Sequence, residues 1–149
     1  MDTAPAPASR LRPSWGLGVA LGAFALVRPL ARTLESQLGA DAGPVLAIGL
    51  TIVVTLVWIV VVGLTRAPAI PTLMLAGVTY AVLAIVASAI LSPVLTGTLQ
   101  GPIANPITIV PMLLMNAVWG LVAGALALLV QRMRRPRASQ GRVVTPMGR

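Results

Sequence analysis

The chain has 149 residues, 57% of them hydrophobic and 9% charged, with a mean hydropathy of +0.94. So few polar residues cannot cover a water-exposed globule of this size, and a bilayer is the natural solvent. Cysteine, histidine and lysine are absent and the net charge of +8 rests on arginine alone, which excludes disulfides, thiolate nucleophiles, imidazole bases and nearly every transition-metal or haem site.

Residues 1–13 open with MDTAPAPASRLR, rich in Pro, Ala and Ser without apolar periodicity, and read as a disordered cytoplasmic lead. The apolar run Trp15 to Val27 is thirteen residues, about 20 Å of helix, short against a hydrocarbon slab of roughly 30 Å. It reaches a spanning length, over 14–34, only if Arg28 and Arg32 belong to the helix and snorkel to the far interface. Pro29 withholds the amide that would bond the Ala25 carbonyl, so a kink or an early end is expected near Arg28. A cleaved signal peptide is the competing account, because Arg10 and Arg12 precede an apolar stretch holding Ala23-Phe24-Ala25.

The second span, 44–64, is uncharged and carries Trp58 toward one end. Thr65 to Pro71 is a tight connection with two prolines and Arg66. The third span, 72–91, is again uncharged and should stop at Ser92-Pro93. A loop from Ser92 to Pro106, with three prolines and no ionisable group, leads to the fourth span, 110–131, with Pro111 in its first turn where a missing amide costs nothing. Residues 132–149 form a basic tail. The expected fold is therefore all-α, a polytopic transmembrane bundle of four helices.

Nine of the eleven arginines fall on one side of this topology, at Arg10, Arg12, Arg66 and in the tail, against Arg28 and Arg32 on the other. That bias predicts cytoplasmic N and C termini in a multi-pass protein of the plasma membrane. Placed so, Arg132, Arg134, Arg135 and Arg137 set topology and meet anionic lipid headgroups, and no nucleic acid is expected as a partner. The acids Asp2, Glu35 and Asp41 lie outside the apolar runs, so no buried carboxylate is expected for proton relay or hydrolysis. Matching Val-Trp pairs in the second and fourth spans, and matching prolines closing the first and third, hint at a repeat too slight to carry a mechanism.

Gly18 and Gly22 in the first span, and Gly120 and Gly124 in the fourth, sit four apart and give each helix a grooved face. Such faces suit packing inside the bundle or a homodimer seam, and spacing does not choose between them. Asn116 shares the face of Gly120 and Gly124, so its amide is expected to hydrogen-bond across helices. A contact between Arg28 and Asn116 is one expectation, since both should lie at similar depth; Arg28 reaching phosphate or pairing with Glu35 or Asp41 is the other. Thr51 and Thr55 share a face at i,i+4, and their hydroxyls should bond carbonyls of their own helix. Met112 and Met115 read as packing residues rather than soft-metal ligands.

In Arg28-Pro29 after a Gly/Ala-rich helix, and in Asn116-Ala-Val-Trp-Gly120, the chain resembles small uncharacterised integral membrane proteins of high-GC actinobacteria. The resemblance covers about Trp15 to Arg135 and implies no activity. Small multidrug exporters need a membrane-embedded glutamate in the first helix, and fluoride channels a phenylalanine-lined pore; this chain lacks the first and holds Phe24 alone. Three functions remain as expectations. One is a non-enzymatic accessory or assembly subunit working through helix contacts, with other membrane subunits or its own copies as partners besides membrane lipids. The others are a small oligomeric channel or carrier selecting an anionic solute with Arg28, and an anionic-lipid-associated protein acting through its tail. No cofactor and no catalysis are expected.

Overall fold

Proline and glycine decide where these helices break. A computed structural model describes residues 12–39 and 43–134. The chain enters α1 (Trp15–Phe24), turns at Ala25 and Leu26, and resumes as α2 (Val27–Leu38). The turn sits four residues before Pro29, where the proline ring crowds the carbonyl of Ala25 and cannot bond it. That carbonyl is taken instead by the Arg28 amide at 3.1 Å, and Leu26 bonds back to Ala23 at 3.0 Å, so a tight turn replaces the lost helical bond. Helix α2 ends at Gly39, whose φ of 64° allows its N–H to cap the Glu35 carbonyl.

The remaining spans are α3 (Gly43–Leu64), α4 (Ala69–Thr96) and α5 (Ile109–Arg134), the last entered through a 3-10 turn at Pro106–Thr108. With α1 and α2 counted as one broken helix, four spans are long and apolar enough to cross a membrane, and no strand occurs among the described residues. The fold is an all-α bundle of four such spans.

Three boundaries differ from expectation. The first span runs to Leu38 instead of 34. The third begins at Ala69 and passes through Ser92-Pro93 to Thr96, because Pro93 lies in the last turn and Gly97, at φ 71°, closes the helix by bonding the Pro93 carbonyl at 3.0 Å. The fourth starts with Pro111 as its third residue, in the first turn as expected, and extends to Arg134. Arg132 and Arg134 are its exposed last turn; Arg135, Arg137 and the rest of the tail, like residues 1–11, lie outside the described residues.

Helix α4 is the hub, packed along α5 on one side and α1 on the other, while α3 lies mainly against α5. Glycines permit the closest approaches. A Cβ at Gly120 would strike the Leu73 carbonyl, one at Gly77 the Asn116 carbonyl, and one at Gly124 would sit 2.8 Å from Ile70 Cα. Gly18 and Gly22 meet the same helix: their Cβ atoms would be 2.8 Å from Leu75 Cδ2 and 2.7 Å from the Ala76 carbonyl oxygen. Both glycine faces left open by spacing are thus used inside the bundle, against α4 from opposite sides.

Small residues fill the core, with Ala69, Ala76, Ala123 and Ala127 buried beside Leu73, Val62 and Trp58. Each buried donor needs a protein partner where no water reaches. Thr72, wholly buried, accepts the Ser14 amide at 3.1 Å, and Gln131 Nε2 donates to the carbonyls of Val62, Thr65 and Ala67, holding the α3 terminus to the following turn. The end of the bundle carrying Arg12, Arg66, Arg132 and Arg134 is the arginine end below; the other is the loop end.

Candidate functional site

The α1–α2 turn leaves a small cavity at the centre of the bundle, where all four spans contribute. Ala25 and Arg28 come from the first, Thr51, Val54, Thr55 and Trp58 from α3, Tyr80 from α4, and Asn116 and Trp119 from α5. Its volume is about 20 Å³, enough for one water molecule. Thr55 lies roughly 18 Å from the start of α3 and roughly 14 Å from its end at 1.5 Å per residue, which puts the cavity near mid-span.

Arg28 dominates it. Its Nε is buried and has no hydrogen-bond partner among the described residues, and its guanidinium carbon lies 5.9 Å from the centroid of the Tyr80 ring. That distance is within cation–π range, a contribution of about 0.5–2 kcal/mol, which is small against the cost of burying an arginine. No acid among the described residues lines the cavity. The expectation that Arg28 snorkels to the far interface is corrected: the turn at Ala25 and Leu26 redirects the chain and brings Arg28 inward at mid-span.

Most other donors here are already engaged. Thr51 and Thr55 donate to the carbonyls of Ala47 and Thr51, each at 2.7 Å, as their spacing predicts. Trp119 Nε1 donates to Thr55 Oγ1 at 3.1 Å, and Trp58 Nε1 to the Leu21 carbonyl at 3.0 Å. Asn116 shares the cavity with Arg28, but its Nδ2 donates to Met112 of its own helix at 2.8 Å, so the expected cross-helix amide bond is not formed. Its backbone, not its side chain, meets the neighbouring helix at Gly77. Among the described residues, Arg28 Nε is thus the buried donor of this site left without a partner, in a cavity whose other lining residues are neutral.

Sequence reasoning gave three members of this site no role in it. Trp58 reads as an interfacial aromatic but is 3% exposed and anchors the α1–α2 turn. Tyr80, the one tyrosine, and Trp119 carry polar atoms in apolar spans, the signal that could have singled them out. Glu35 is a further correction. Extension of the first span to Leu38 takes it within that span, half-buried, with Oε1 buried and without a hydrogen-bond partner among the described residues. Against protein-family models, characterised proteins and solved structures alike, the chain finds no match.

Proposed function

We propose that the chain is a multi-pass membrane protein that binds a small anion inside its helix bundle and conducts or carries it across, with Arg28 as the selecting charge. One observation carries this reading: Arg28, half-buried with its Nε wholly buried and unbonded, faces a mid-span cavity that all four spans line and that no acid among the described residues lines. A partly desolvated cation attracts an anion more strongly than it would in water, and intramembrane charges of this kind mark ion pathways. The cavity volume suits a guest of about the size of water or a halide. Catalysis is not proposed, because the site holds no nucleophile set beside a base.

Liposomes reconstituted with the purified protein test it, with fluoride, chloride, formate and nitrate as the permeant species. Wild type should pass at least one of them, and Arg28→Gln should lower that flux by about tenfold or more, as loss of the main electrostatic partner would, with an unchanged helical spectrum and elution volume. Absence of flux for all four, or flux indifferent to Arg28→Gln, would overturn the reading.

Assembly through helix contacts remains the second reading, supported by a shallow groove of about 430 Å³ along α3 and α5, walled by Ile48, Ile52, Leu56, Ile59 and Leu126. What weighs against it is the use of both glycine faces within the bundle. Purification in mild detergent that yields neither a partner nor an oligomer would remove it.

A further inference from the structure

Helix α2 stands off from α4. None of its residues is buried, and between the two helices lies a crevice of about 350 Å³, within the range of volumes that small-molecule sites occupy. It runs from the loop end, at Gln37 and Gln100, down to Leu26 beside the α1–α2 turn. Eleven residues separate Gln37 from Leu26, about 16 Å of helical rise, close to the depth of one leaflet's hydrocarbon.

Its lining has a consistent chemistry. None of the described residues around it is ionisable; leucines and alanines make the deeper wall, and hydroxyls and amides the upper one. The hydroxyl protons are directed away from the crevice: Thr33 donates to the Pro29 carbonyl, Ser36 to Thr33, Ser88 to Ile85 and Thr96 to Ser92. A hydroxyl that has donated its proton still has oxygen lone pairs. The upper wall therefore presents hydroxyl oxygens that can only accept beside the Gln37 and Gln100 amides, which donate as well as accept, and an occupant that bonds all of them must itself both donate and accept.

We propose that this crevice holds one lipid whose headgroup is uncharged and rich in hydroxyls, such as a glycosylated diacylglycerol, with its tail against Leu26, Leu30 and Leu91. A phosphate brings acceptors alone and leaves the four spent hydroxyls without donors. A phosphatidylcholine headgroup brings no N–H or O–H donor at all.

The inference is independent of anion passage and is tested separately. The protein is reconstituted in bilayers of equal parts monoglucosyl-diacylglycerol, phosphatidylglycerol and phosphatidylcholine, and the retained lipid is read by native mass spectrometry. One glucolipid should be retained, enriched about tenfold over phosphatidylcholine, the preference that one or two additional hydrogen bonds would supply. Ala84→Phe and Ala87→Phe, which fill the crevice, should abolish the enrichment, while Arg28→Gln should leave it unchanged. Equal retention of the three lipids in wild type, preference for phosphatidylglycerol, or enrichment that survives both filling variants would overturn the proposal. The wild-type ratio decides even if a filling variant does not fold.

Discussion

At the scale of single residues, the α1–α2 turn depends on where a few polar hydrogens go. The Leu21 carbonyl accepts twice, from the Ala25 amide at 3.2 Å and from the Trp58 indole at 3.0 Å, so Trp58 ties α3 to the last turn of α1 before the chain bends. Trp58→Phe keeps the aromatic bulk and deletes that tie. It should lower resistance to denaturation in detergent by about 0.5–1.5 kcal/mol, measured by unfolding in increasing dodecyl sulfate. Trp119→Phe, on a more exposed indole bonded to Thr55, should cost less. Stability of Trp58→Phe equal to wild type would mean the bond contributes nothing net. These partners were unreadable in the sequence, because an indole far from its acceptor in number meets it only through the packing of α3 on the rest. Thr51 and Thr55 were readable, since their acceptors lie four residues back on the same helix and need no tertiary knowledge. Asn116 took the same local option at Met112, and the cross-helix expectation failed for that reason.

At the scale of elements, glycine contacts set the distances between helices, and they separate two kinds of glycine. Gly77→Ala and Gly120→Ala would drive a methyl into a backbone carbonyl across the α4–α5 contact, which cannot yield as a side chain would. Each should destabilise by about 1–3 kcal/mol or more, seen as a lowered thermal midpoint in detergent. Gly16→Ala and Gly49→Ala meet nothing within 4 Å and should leave that midpoint unchanged or slightly raised. Helix existence was legible throughout, because an uncharged run such as 44–64 has no alternative in lipid. Ends were less so. Pro93 looked like a stop, yet a proline in a last turn forfeits only one bond and Gly97 supplies the closure. The turn at Ala25 and Leu26 was foreseen a few residues late, since a proline disturbs the carbonyl four residues before it as well as its own position.

At the scale of the whole molecule, the arginine bias proposes an orientation that the fold makes easy to check. The chain has no cysteine, so any one introduced is the sole thiol. With the arginine end in the cytosol, Thr98→Cys should react with an impermeant maleimide on intact cells, and Met133→Cys only after permeabilisation. The reverse pattern would invert the topology. Both positions are exposed, at opposite ends of the bundle.

The broken first span has a consequence for biogenesis. Helix α1 is ten residues, about 15 Å, half the thickness it must help to cross, and its main packing surface is on α4. That partner leaves the ribosome only after α3 has already been made. Until then the opening segment sits in the translocon or the lipid without its mate, still carrying Arg28. Nascent chains arrested before Thr96 should therefore remain chaperone-bound and protease-prone, and become resistant once the third span has joined them.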